Sequence, residues 1–345
     1  MEQAQATKPT AASFNFGREA LRRAGRLPLV FALTVGLVVL CLLIGQYGSE
    51  ELKTTTVTGL VDLIMVVGLY TFVGNSGVLS FGHAGFMAVG AYASALLMIP
   101  ILTKGALLPA LPTFLANASF APVPAALTGA GVALLLGIVA GIPIVRLAGI
   151  QASIATFSFL AIMQVVIGNW TALTRGQMTM TGIPISIGVT EPLLWAVVAI
   201  GIAYVYKQSR FGFRLRATRE DALSARSLGI SVGRERFIAF VVSAFIVGIS
   251  GYLYAREVGS FSPENFYLEI TFITIAMLII GGRNSLAGAI VGPVVVSVLL
   301  EVLRQSENSS LPVTIPNGSR DIAFGALTII VLILRPDGLM GRRFS

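Results

Sequence analysis

Charge is what this chain has least of. Acidic and basic residues make up only 12% of its 345 residues, about half the roughly 25% of an average soluble domain. Hydrophobic residues reach 55%, and mean hydropathy is +0.85. So few polar side chains cannot cover a water-facing surface, which excludes a soluble globule and turns the outside toward lipid. There is one histidine, His83, and one cysteine, Cys41. An intrachain disulfide and a Cys/His metal cluster are therefore excluded. No HExxH, GxSxG or GxxxxGK[ST] pattern occurs. A zinc protease, an α/β-hydrolase elbow and P-loop binding of ATP lack their residues. The chain is expected to be no enzyme and to hold no cofactor or metal of its own.

What the sequence has in quantity is apolar runs. A lipid core needs about 20 apolar residues per helix, with every backbone polar group satisfied internally. Ten spans meet that need, at roughly 27–45, 58–74, 81–101, 123–147, 148–168, 191–207, 237–255, 267–281, 285–304 and 321–335. The expected fold is all-α and polytopic, with about ten transmembrane helices. Residues 1–26 form a polar extension, 27–341 the membrane domain and 342–345 a tail. No polar linker or low-complexity tract divides the chain. The span 27–45 lacks a convincing cleavage site after it and is read as uncleaved.

The basic residues test this topology independently. With the N-terminus in the cytoplasm and strict alternation, 18 of the 24 Lys and Arg fall inside and six outside. That bias satisfies the positive-inside rule. An even number of spans puts both termini of this multi-pass membrane protein in the cytoplasm. The net charge of +8 is explained by this rule and needs no nucleic acid.

Ionisable residues within the spans are few. Asp62 lies near the start of the second span, and Glu301 near the end of the ninth with Arg304 three residues on. Asp321 reads as an N-cap for the last span. Ion-coupled transporters usually carry intramembrane acids, so this scarcity suits a passageway driven from elsewhere. Gly137/Gly141 and Gly288/Gly292 form GxxxG pairs, which let helix backbones approach.

Two segments stand out. Residues 75–92 are glycine-rich, polar and aromatic at membrane depth. They are either a broken helix lining a cavity or a cytoplasmic turn followed by a packing face. Residues 208–236 form the longest polar loop. Within it, Arg219 to Ile230 reads as a short amphipathic helix with Ala222, Ala225 and Leu228 on one face and Gly229 as its stop. Such a helix either docks into a partner's groove, or the loop lies on anionic lipid.

The run Gly77-Val-Leu-Ser-Phe-Gly-His-Ala-Gly-Phe-Met-Ala-Val-Gly-Ala-Tyr92 resembles the signature of branched-chain amino acid ABC importer permeases of the LivM type. Residues 209–230 resemble that family's cytoplasmic coupling segment. Gly281-Gly-Arg-Asn-Ser-Leu-Ala-Gly-Ala-Ile-Val-Gly-Pro293 and Arg335-Pro-Asp-Gly-Leu-Met-Gly341 are similar to two further blocks. The four blocks occur in the family's order. The resemblance implies half of a translocation pathway for branched-chain amino acids, with related cargos such as urea, short amides or other amino acids as the alternative. It implies a second homologous permease, two ATPase subunits that bind ATP and Mg, and a periplasmic substrate-binding protein. It assigns coupling to Arg219, Glu220, Asp221, Ala225, Leu228 and Gly229. The pathway would be lined or gated by Asn75, Ser80, Phe81, Gly82 and His83. One departure stands: Ser224-Ala-Arg-Ser-Leu-Gly229 lacks the acidic residue of the general Glu-Ala-Ala pattern and carries Arg226 instead.

Overall fold

The computed structural model describes residues 26–185, 188–308 and, within 325–341, residues 325–326, 328–330, 333–335 and 337–341. The described residues are helical apart from short loops and one isolated bridge between Met180 and Phe261. In chain order the long helices are α1 (Arg26–Tyr47), α2 (Glu50–Ser76), α3 (His83–Met98), α6 (Pro122–Ile144), α7 (Ile150–Asn169), α9 (Thr190–Gln208), α12 (Val232–Val258), α13 (Leu268–Gly281) and α14 (Leu286–Asn308). Between them lie the short helices α4 (Ile101–Leu107), α5 (Thr113–Ala116), α8 (Thr171–Thr174), α10 (Arg210–Glu220) and α11 (Ala222–Ser227), and a 3₁₀ turn at Pro263–Phe266.

Among the described residues, seven helices are long and apolar enough to cross a membrane, or eight if the bent pair α3–α4 counts as one span. The expected number was ten. α9 coincides with the span 191–207, but Glu191, Pro192 and Lys207 at its ends dilute the apolar centre. The Asp321 cap lies outside the described residues, and of the tenth span, 321–335, only 325–326, 328–330 and 333–335 are described. The third span departs in shape. α3 stops at Met98, and the chain bends by 119° into α4 across Ile99 and Pro100. Its 16 residues rise only about 24 Å, short of a hydrocarbon core of about 30 Å.

α2 begins eight residues before the expected start at 58. Ser49 caps it, accepting a hydrogen bond from the Leu52 N–H at 3.3 Å. Thr54, Thr55, Thr56 and Thr58 donate to carbonyls four residues back. The threonines thus satisfy themselves on the helix and do not end it. Asp62 is consequently three turns into α2, not one.

Burial ranks the helices. Of the apolar stretch of α2, 83% is buried against other helices, against 6% for α1. α2 is therefore central and α1 is peripheral, left largely uncovered by the rest of this chain. α12 crosses α3 at near-backbone distance: a Cβ on Gly251 would lie 2.0 Å from the Met87 carbonyl, and one on Gly90 2.4 Å from that of Gly248. Only glycine permits this approach. The GxxxG pairs act the same way, Gly137 and Gly141 against α12, and Gly288 and Gly292 against the end of α13.

Candidate coupling and translocation site

The arginine-rich loop folds as two helices, not one. Ser209 caps α10 by accepting from the Gly212 N–H at 3.3 Å. α10 runs to Glu220, and the chain then extends at Asp221 (φ −149°, ψ 108°). The Asp221 carboxylate accepts from the Leu223 N–H at 2.8 Å, the Ser224 N–H at 3.0 Å and the Ser224 hydroxyl at 2.6 Å. These bonds, the Ser224 hydroxyl first, hold the Asp221 carboxyl below the usual carboxylate range. α11 then makes under two turns and ends at Gly229, whose φ of +79° favours glycine. The Ile230 N–H closes the end on the Ala225 carbonyl at 3.0 Å.

Arg219 and Glu220 therefore belong to α10, and Asp221 is the cap between the helices. The apolar face also differs from expectation. Ala225 is buried against the chain's own body, whereas Leu223 and Leu228 are 76% and 81% exposed. Sequence periodicity missed Leu223 because the helix starts three residues later than expected.

α10 clamps the C-terminal end of α2. Arg216 Nη1 donates to Asn75 Oδ1 at 3.1 Å and to the Lys207 carbonyl at 2.9 Å. One turn on, Arg219 Nη1 donates to the Gly74 carbonyl at 2.7 Å and to Asn284 Oδ1 at 3.2 Å. The last four carbonyls of a helix lack intrahelical partners and carry its negative dipole end, so guanidinium groups fit there. The two candidate residue sets thus meet directly: Arg219 of the coupling set touches the turn of α2 that carries Asn75. Arg216 and Asn284 were not singled out in the sequence. The i, i+3 spacing of Arg216 and Arg219 was the available signal.

Beyond that end lies a covered break. Gly77 takes φ +72° and closes α2, and helix resumes only at His83. Val78, Ser80 and Gly82 are buried while Gly77 is exposed, so the connection between α2 and α3 is largely covered. Neighbouring side chains supply what a helix would: Ser76 Oγ accepts from the Val78 N–H (3.2 Å), Thr156 Oγ1 from the Phe81 N–H (3.1 Å), and Ser153 Oγ donates to the Leu79 carbonyl (2.8 Å). Phe81 packs edge-on to Phe157 and Phe272.

His83 is enclosed. Its Nδ1 is 2.9 Å from Ser80 Oγ and its Nε2 is 2.8 Å from Ser243 Oγ of α12. The Ser243 hydroxyl donates to the Phe240 carbonyl at 2.9 Å. Nε2–H therefore donates to Ser243, and the Ser80 hydroxyl donates to Nδ1. Phe72, Phe86 and Phe240 surround the ring. In this conformation His83 pins the break to α12 and faces no open passage.

At the opposite end of α2 is a cavity of about 610 Å³ lined by Glu51, Asp62, Glu269 and Glu301 with Thr54, Thr55, Thr58 and Asn265 among others. Glu301 Oε2 lies 2.9 Å from Thr55 Oγ1, whose one proton it shares with the Glu51 carbonyl. Asp62 and Glu301, distant in sequence, share one polar space. Among the described residues no group of three His, Cys, Asp or Glu is placed to hold a metal ion.

Residues 52–332 match the family model described as the permease component of a branched-chain amino acid transport system. The high-affinity branched-chain amino acid transport permease LivM of Salmonella typhimurium is 27% identical, over 85% of this chain and 70% of its own length. LivH of the same organism is 26% identical over 52% of this chain and 61% of its own length. LsrC of Klebsiella pneumoniae, an autoinducer 2 import permease, is 28% identical over 39% and 41%. No solved structure matches. The match over residues 52–332, most of the chain, shows that the protein belongs to the branched-chain amino acid transport system permease family.

Proposed function

We propose that the chain is a transmembrane permease subunit of an ATP-driven importer and forms half of the translocation pathway for branched-chain amino acids. Family membership supports transport. The observation that carries the ATP-driven part is α11, a capped short helix with Leu223 and Leu228 exposed among arginines. A short helix presenting two apolar side chains suits a groove on a soluble partner. On this reading two ATPase subunits bind ATP and Mg, a second homologous permease completes the pathway, and a periplasmic protein delivers the amino acid. On this reading α11 and both termini lie in the cytoplasm, which the bias of Lys and Arg toward one side supports. This chain breaks no bond. It converts movement of α11 into opening of a passage that is shut where 77–82 packs against α7 and is tied through His83 to α12.

The test is uptake of labelled leucine into proteoliposomes that hold the complete complex, with ATP inside and a binding protein outside. Uptake that needs ATP and leucine-loaded binding protein is expected. A second reading, an ion-coupled transporter, draws on Asp62 in its acid-lined cavity. Uptake without ATPase subunits that vanishes in Asp62→Asn would replace the importer reading with this one.

A further inference from the structure

We propose that Arg216 and Arg219 form the link through which movement of α11 reaches the buried break at 77–82, which makes them positioning residues for transport. The inference rests on the importer reading above. Both side chains leave one face of α10, and Arg219 stands two residues before the Asp221 cap of α11. They grip neighbouring residues of α2, Arg219 the Gly74 carbonyl and Arg216 the Asn75 side chain. Arg219 adds Asn284 in the turn between α13 and α14. One guanidinium therefore ties the loop, the end of α2 and that turn together, a planar multi-donor role that lysine does not fill.

The covalent continuation matters as much. Gly77 follows the gripped turn, and a Cβ there would lie 2.6 Å from Arg219 Cγ. From Gly77 to Gly82 no helix stiffens the backbone, and its anchors come from Ser153 and Thr156 of α7 and, through His83, Ser243 of α12. A displacement of α10 then has two outlets: break the charge-assisted bonds to α2, or carry the end of α2 and pull on the break. Charge-assisted bonds are about twice as strong as neutral ones, and the anchors of the break are neutral, so the break yields first. The pair between Arg219 and Glu220 does not compete, because Glu220 is exposed and screened by solvent. A charge needed only for membrane orientation has no reason to be tied to buried backbone.

The experiment uses the reconstituted complex and counts leucine imported per ATP hydrolysed for Arg216→Ala, Arg219→Ala, their combination and Arg219→Lys. In a Cys41→Ala background it also follows the reaction of Leu79→Cys with a thiol reagent, with and without ATP. The ratio is expected to fall about tenfold in each single Ala variant, and little further in the double, because the two act in one link. Arg219→Lys should recover part of it. ATP should change the Leu79→Cys rate about threefold in the parent and not in Arg219→Ala. An unchanged ratio overturns the link, as does loss of the ATPase subunits from the purified Arg219→Ala complex, which assigns the arginine to docking. Failure of the unsubstituted complex to import leucine overturns the importer reading itself and the link with it.

Discussion

Replacing His83 by alanine removes the partner of Ser80 Oγ and empties a space between three phenylalanines. A buried polar group left unpaired costs about 1–3 kcal/mol, and loss of a buried ring adds a cavity term. The substitution should destabilise the protein by about 3 kcal/mol, read as a lower melting temperature in detergent. His83→Gln, which keeps a donor and an acceptor, should recover part of that loss. A melting temperature equal to that of the parent in His83→Ala would remove His83 as the pin of the break. At Gly229, φ is +79°, which proline cannot adopt and alanine adopts at a cost of about 1–2 kcal/mol. Gly229→Pro should therefore disturb the end of α11 and sharply reduce uptake, while Gly229→Ala has a smaller effect. Asp221 carries a pH sign. Its carboxyl is held below the ordinary value near 3.8, so the cap's contribution is whole above that value and lost as pH falls through the folded one. Asp221→Asn, which caps comparably, should leave the pH profile of uptake unchanged between about pH 5 and 8; a new inflection there would show that the charge itself matters.

At the scale of the element, α11 and the break at 77–82 answer differently to the sequence. The polar, arginine-rich composition of 208–236 marks a loop between spans, and Gly229 marks a helix end, so the presence of a short helix there was legible. Its start was not. Asp221 is a strong capping residue, but Arg219 and Glu220 continue the helical pattern across it, and only the extended backbone at Asp221 separates α10 from α11. The faces were misjudged with the start: Ala225 turns inward and Leu223 outward. That helix breaks at 77–82 was legible only as one of two conformations. The bonds that hold the stretch, from Ser153 and Thr156 directly and from Ser243 through His83, come from residues more than seventy positions away. Leu223→Asp and Leu228→Asp should each preserve membrane insertion and melting temperature, since neither side chain packs on the body, and should reduce ATPase co-purification at least about tenfold. Retained co-purification in both would take α11 out of the docking role.

For the whole molecule, low charge and long apolar runs were enough to place an all-α polytopic protein. Nine of the ten expected spans coincide with a described helix, though not all of these are long and apolar enough to cross. The residual differences have physical causes. Threonines that bond their own helix lengthen α2, and the turn at Ile99 and Pro100 bends the third span. Proximity between the candidate coupling and pathway sets was not legible, because Arg219 and Gly74 are 145 residues apart. The central claim is that this permease works with ATPase subunits docked at α11. Purification of the tagged chain in mild detergent, followed by mass spectrometry of its partners, tests it most directly. The account predicts a second permease and two ATPase subunits, with the ATPases absent when Leu223 and Leu228 are both Asp; a homo-oligomer without any ATPase would contradict it.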